Sequence, residues 1–327
     1  MNASKLSSAL LLLMAALAAA QEAPNASIKN SAITAKFYLP DANTGYYRGT
    51  RFDWSGQIYS LRTDKHEYFG RWFDKYDPKL HDAIMGPVEE FRTNGAGLGY
   101  DEAKAGDTFI RIGVGVVRRP DDKPYQTFKT YDIVDPGKWT VKRGPSWISF
   151  THQLRDKKGH AYRYTKTVKL IGNTSKMVIE HSLKNTGKKR IETTQYNHNF
   201  FVMDGQPTGP ASNVTFPFEL KPVRAFQGGI AESRGKQIGY NAELQPGQSV
   251  IGEFTGYGKT AADYDIRVEN KNAGAGVRIR GDQPLSKLVY WSTRNVFSPE
   301  PYINMKVEPG REFKWKYEYE FYDTGKR

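Results

Sequence analysis

Two short stretches of the chain carry the residue types that proton-transfer chemistry needs. The first is Gln195-Tyr-Asn-His-Asn-Phe-Phe201. Histidine titrates near neutrality and is the usual group for moving a proton. Asn197 and Asn199 flank His198 and could bind hydroxyls or a carboxylate. The second stretch is Ser298-Pro-Glu-Pro-Tyr302. Two prolines stiffen the backbone around Glu300, and a rigidly placed carboxylate suits a general base or a hydroxyl-binding group. A third element, Gly45-Tyr-Tyr-Arg-Gly-Thr-Arg-Phe-Asp53 followed by Trp54, alternates arginines with aromatics. Arginine forks bind carboxylates in pairs, so Tyr47, Arg48 and Arg51 are candidate ligands, together with Arg71 and Arg111. The same composition also suits an arginine-rich edge strand kept soluble by its charge. Tyr196, and Trp291 at the end of Lys287-Leu-Val-Tyr-Trp291, complete the candidate binding set. His152 and His181 lie on apolar strand faces and read as packing residues.

These residues must be positioned by strands. Phe313, Trp315, Tyr317, Tyr319 and Phe321 alternate with Lys314, Lys316, Glu318 and Glu320. A two-residue period of that kind marks a half-buried strand. Ile148, Phe150, His152 and Leu154 repeat it. So do Tyr162, Tyr164, Val168 and Leu170, with Lys166 interrupting the apolar face. Met177 to Leu183 and Tyr264 to Val268 follow the same rule. Asp156-Lys-Lys-Gly159, Gly172-Asn-Thr-Ser, Asn185-Thr-Gly187, Gln245-Pro-Gly247 and Glu308-Pro-Gly310 read as tight turns between the runs. Only Asp77 to Glu90 is expected to hold a helical turn. The pattern predicts an all-β fold of antiparallel strands in two large stacked sheets.

The N-terminus bears on compartment. Lys5 precedes an unbroken apolar run from Leu10 to Ala19, and small residues follow. That run is too short to span a bilayer and matches a cleavable secretory signal over residues 1–20. Residues 21–327 are expected to form a single domain, secreted or periplasmic. The chain has no cysteine, which excludes thiol catalysis and cysteine metal sites. No metal-ligand spacing is visible, and no metal or cofactor is expected. Net charge is +13, and Lys5 is the one charge in the first twenty residues, so +12 remains. Such an excess favours anionic partners. Without a nucleic-acid recognition motif, the expected partner is a mono-, oligo- or polysaccharide, acidic or not. Asn25, Asn173 and Asn213 begin N-glycosylation triplets.

The order of Tyr196-Asn-His-Asn-Phe-Phe201, Ser298-Pro-Glu-Pro301 and Glu308-Pro-Gly310 before a final aromatic strand resembles the galactose mutarotase-like superfamily, which includes the aldose 1-epimerases. The likeness runs from about residue 160 to 322. It implies an antiparallel β-supersandwich, with His198 as general acid and Glu300 as general base in opening a sugar ring. The Gly-Arg-x-x-Asn-Arg strand of typical aldose 1-epimerases is absent. The family's second, upstream histidine has no match; His66 and His81 are the candidates for it, and neither sits in a matching motif. Three readings follow: a sugar mutarotase or epimerase using Glu300 and His198, a polysaccharide lyase acting on a uronate polymer by β-elimination, or a non-catalytic carbohydrate-binding module. The lyase would draw on Arg48, Arg51, Arg71, Asn197, His198 and a tyrosine such as Tyr46, Tyr47 or Tyr196. The binding module predicts that His198 and Glu300 do not converge.

Overall fold

The structure, a computed structural model, describes residues 22–325. The expected secretory signal lies outside them. Among the described residues the regular elements are strands and one short 3-10 turn at Ala261–Asp263. The expected helical turn between Asp77 and Glu90 does not form. Turns at residues 78–82 lead instead into the strand Gly86–Arg92, whose alternate residues are claimed by partners on both faces.

Every strand pairing is antiparallel, in four sheets. The largest has ten strands, in the order Ala231–Arg234, Gln237–Tyr240, Ser212–Thr215, Asp265–Asn270, Ala275–Gly281, Glu312–Asp323, Lys176–Asn185, Ala161–Leu170, Trp147–Arg155 and Lys138–Arg143. A six-stranded sheet lies against it: Lys221–Arg224, Ser249–Thr255, Lys287–Thr293, Val296–Val307, Ile191–Phe200 and Gly86–Arg92. Two small sheets complete the fold: the four strands from Asn25 to Phe69, and the three from Thr108 to Asp135.

The aromatic alternation in Glu312–Asp323 buries Trp315, Tyr317, Tyr319 and Phe321 and leaves the intervening Lys and Glu outward. Each fully buried side chain of this size stabilises the fold by roughly 1.5–3 kcal/mol. The five expected turns each separate two strands. Gly310 adopts φ 76°, a left-handed conformation that side chains other than glycine resist.

The interior between the two large sheets is not purely apolar. Lys166, which breaks the apolar face of its strand, points inward and ion-pairs with Glu89 of the facing sheet. It also donates to the Ser55 carbonyl at 3.1 Å. His181 Nε2 lies 2.8 Å from the other Glu89 oxygen. Gly56, at φ 64°, leaves the space through which the lysine passes, since a Cβ there would lie 2.9 Å from Lys166 Cε. Burial opposes ionisation of Glu89, but Lys166 and His181 outweigh it and hold the carboxyl below its usual range. His152 and His181 are both buried, as expected.

This cross-sheet pair generates a stability prediction. Lys166→Met leaves Glu89 buried without its cation and is expected to cost ~3–5 kcal/mol in urea unfolding. Adding Glu89→Gln should recover part of that loss. A loss within about 1 kcal/mol, the range of an exposed pair, would show that the two sheets do not depend on the contact.

Candidate active site

The outer face of the six-stranded sheet forms the floor of a cleft of about 290 Å³. The two-residue period decides which side chains reach it. From Ile191–Phe200 come Tyr196 and His198. From Val296–Val307 come Glu300 and Tyr302, and from Lys287–Thr293 come Lys287, Val289 and Trp291. Register aligns them: Val289 opposes Glu300, and Tyr196 opposes Tyr302 on one neighbour and Glu90 on the other. Loops add Arg51, Asp82 and Phe128 as walls.

His198 and Glu300 meet at the floor. Nε2 of His198 lies 3.1 Å from Glu300 Oε1, and the two residues are 3 % and 5 % exposed. Ser298, two residues before Glu300 on the same strand face, places Oγ 2.7 Å from His198 Nδ1. The imidazole also stacks on Phe200 at 3.9 Å and meets the edge of Trp291 at 5.3 Å. Its position is therefore fixed by polar contacts at both nitrogens and by rings on two sides.

The environment moves the two groups in opposite directions. Burial pushes Glu300 up to about 8; Arg51 opposes that shift, while Glu90 and Asp82 add to it. Burial, reinforced by Arg51, holds His198 well below its ordinary value, with Asp82 opposing. At neutral pH the pair is a carboxylic acid beside a neutral imidazole. The arrangement that satisfies both has the Glu300 hydroxyl donating to Nε2, and Nδ1–H donating to Ser298 Oγ. The Glu300 proton then lies within hydrogen-bond reach of Nε2.

Arg51 lies beside this pair but is already engaged. It pairs with Asp82, donates from Nε to Glu90 Oε2 at 3.1 Å, and lies 3.4 Å from the Tyr196 hydroxyl. Tyr196 donates to the same Glu90 oxygen at 2.6 Å. Burial works against the Glu90 carboxylate, but Arg51, Arg111 and Arg92 keep it below its usual range. Burial likewise works against Asp82, and His81 and Arg51 prevail. His81 Nε2 is 3.1 Å from Asp82.

Of the residues singled out in the sequence, Arg51, Tyr196, His198, Trp291 and Glu300 line the cleft. The others do not. Asn197 and Asn199 point into the sandwich, because a strand turns neighbours of His198 to the opposite face. Asn197 bonds the Tyr319 hydroxyl at 3.1 Å, and Asn199 bonds the same hydroxyl at 2.7 Å and the Pro299 carbonyl at 2.9 Å. Arg111 is 2 % exposed and spends its guanidinium on the carbonyls of Thr50, Ala96 and Arg51 and on Glu90. Tyr47 is buried under the same loops and donates to the His81 carbonyl. Arg48 holds the Asn43 carbonyl, and Arg71 the carbonyls of Phe73 and Asp74. These arginines stabilise loops rather than present charge to a ligand. His66 bonds Asp204 and is not part of the cleft. The segment Gly45–Asp53 is a loop, not an edge strand.

The sequence reading missed Asp82, Glu90, Arg92, Phe128, Arg224, Lys287 and Tyr302. Tyr302 and Lys287 carried a signal: each shares strand parity with a residue already chosen, Glu300 and Trp291 respectively. Asp82, Phe128 and Arg224 reach the cleft from segments remote in sequence and carried none.

No family model matches the chain, and no curated protein matches it in sequence. Its likeness is to solved structures. The GalM/aldose epimerase homologue from Caenorhabditis elegans superposes with a TM-score of 0.56 at 13% identity, over 92% of this chain and 99% of that one. A galactose mutarotase-like protein from Clostridium acetobutylicum gives 0.55 at 10% identity, over 91% and 95%. Another from Lactobacillus casei gives 0.52 at 14% identity, over 91% and 100%. The fold is thus the galactose mutarotase-like β-supersandwich, across most of the chain.

The Glu300 shift has a stability consequence whose sign is definite. A carboxyl raised to about 8 in the folded state contributes stability that is fully present below its unfolded value near 4.5 and is lost as pH rises through about 8. Glu300→Gln should therefore gain on the parent by roughly a few kcal/mol between pH 5 and pH 9 in denaturant unfolding. An unchanged difference between the two pH values would show that Glu300 ionises as an ordinary carboxylate.

Proposed function

We propose that the protein is an exported carbohydrate isomerase that interconverts sugar anomers, with the Glu300–His198 pair as its proton-transfer unit. The observation that carries the reading is the buried 3.1 Å contact between two groups whose usual order of proton affinity is reversed, Glu300 being raised and His198 lowered by burial. Opening a pyranose requires a base for the O1 proton and an acid for the ring oxygen. Both oxygens are bonded to the same anomeric carbon, so two adjacent proton carriers can serve both. The O1–H bond breaks, O1 forms the carbonyl, the C1–O5 bond breaks, and its electron pair takes a proton on O5. The open chain rotates about its first carbon–carbon bond and recloses by the reverse steps. The pair ends each cycle with the proton number it began with.

With the proton on Glu300, His198 is the base; with the proton moved to His198, Glu300 is the base. The second assignment is the one the family resemblance implies. Burial in the free protein favours the first. Trp291 and the exposed Phe128 supply apolar walls on which a sugar ring can lie.

Arg51 and Tyr196 beside His198 are the features that β-elimination from a uronate would use. That reading ranks second because Arg51 already has Asp82 and Glu90 as counter-ions and has no charge left for a substrate carboxylate.

The expected outcome is acceleration of anomer exchange for a free aldose, read by polarimetry or by saturation-transfer NMR. Glu300→Gln and His198→Asn should each lower it by roughly 10²–10⁴-fold. Activity of the parent should fall as pH rises past about 8, where the pair loses its shared proton. Appearance of the ultraviolet absorbance of an unsaturated uronate on a polyuronate panel, lost in His198→Asn, would replace isomerisation with elimination.

A further inference from the structure

The rim of the cleft holds an arginine, Arg224, that forms no ion pair among the described residues. Four cationic side chains line the cleft: Arg51, Arg92, Arg224 and Lys287. Arg51 answers Asp82 and Glu90, Arg92 lies 3.6 Å from Glu90, and Lys287 pairs with Glu253 at 2.8 Å. Arg224 is exposed on the outermost strand. The lining carboxyls are Asp82, Glu253 and Glu300. Even with all three ionised the lining is positive by 4 − 3 = 1. With Glu300 protonated the excess is 4 − 2 = 2. Glu90 and Arg111, just behind the lining, cancel one another.

Arg224 reaches this position through a local irregularity of the strand. Pro222 pairs with Phe254, and Arg224 pairs with Glu253, so Val223 is an extra residue against a regular partner strand. Without that bulge Val223 would oppose Glu253 and take the cleft face. With it, Arg224 does. Bulges commonly re-aim a side chain beside a functional site. Along the sheet, Glu300 opposes Val289, Val289 opposes Glu253, and Glu253 opposes Arg224. Three strand spacings put the Arg224 backbone roughly 14 Å from that of Glu300. Both side chains line the one cleft, and that separation leaves room between them for a sugar unit.

We propose that the cleft takes a saccharide bearing an oxyanion (a carboxylate, phosphate or sulfate), held by Arg224 at the rim while the anomeric centre lies over His198 and Glu300. The inference rests on the isomerase reading for the position of the anomeric centre. A guanidinium binds such groups through paired hydrogen bonds, and at the rim it stays hydrated until the ligand arrives. The neighbouring Lys287 adds positive potential without being free to pair.

Calorimetry of the full chain with anomerically equilibrated sugars tests this, because the heat then reports binding and not turnover. The probes are glucose and galactose, their uronates, their 6-phosphates and their 6-sulfates. At least one charged probe should bind roughly tenfold more tightly than its neutral parent. Arg224→Gln, an exposed substitution, should abolish that advantage, and raising the ionic strength should shrink it. The best-bound probe identifies which oxyanion is meant. Equal affinity for charged and neutral probes, an advantage that survives Arg224→Gln, or no binding of any probe would overturn the proposal. Neutral sugars that exchange anomers and bind as tightly as their charged counterparts would remove the oxyanion assignment alone. Charged sugars that bind without faster anomer exchange would remove the isomerase reading alone.

Discussion

Two adjacent buried carboxylates, Glu89 and Glu90, constrain the rest of the structure. They sit on the edge strand Gly86–Arg92, and neighbouring strand residues face opposite ways. Glu89 therefore enters the sandwich, where Lys166 and His181 of the ten-stranded sheet meet it. Glu90 enters the cleft side, where Arg51, Arg111 and Tyr196 meet it. Neither carboxylate could be buried alone, since an unpaired charge in the interior costs several kcal/mol. The strand cannot slip by one residue, because that would exchange the two faces and strand both charges. One strand thus ties the two sheets together and carries the loop residue Arg51 to the site, in a register that both sets of cations enforce.

The same alternation explains what the sequence revealed. Strands such as Glu312–Asp323 were legible because one face is apolar and the other wet, so chemistry and geometry share a period. The strands that build the site were less so. Gly86–Arg92 and the second half of Ile191–Phe200, from Gln195 on, are buried on both faces, and their sequences mix charges and amides with aromatics. There the period is present but hydrophobicity does not mark it. The asparagines beside His198 show the consequence. Their polarity suggests a shared site with the histidine, whereas strand parity assigns them to the tyrosines of the opposite sheet. Lys166 is the converse case. Its charge looks like an error in an apolar face until the facing carboxylate is known.

The arginines divide along similar lines. Arg48, Arg71 and Arg111 satisfy backbone carbonyls of irregular segments, which need donors because no sheet ladder supplies them. Sequence alone does not separate such structural arginines from ligand-binding ones, since the difference lies in which loop carbonyls fall within reach. Arg51 belongs to neither group: its main-chain carbonyl accepts from Arg111, and its side chain joins Asp82 to Glu90.

The resulting cleft separates two kinds of electrostatics. At the floor, charges are desolvated and interact strongly with one another. There each arginine has its carboxylate, and the Glu300–His198 pair is kept neutral overall. At the rim, Arg224 stands in solvent, where its field on the floor is weakened by water and salt across several strand spacings. On the proposed reading, recognition of charge and transfer of protons can then be adjusted independently. A cation unpaired at the floor would favour the ionised form of Glu300, as Arg51 already does to the extent its partners allow, and would remove its proton. The pairing of Arg51 with Asp82 and Glu90 is what permits an arginine to stand beside a carboxylic acid whose affinity for its proton is raised by burial.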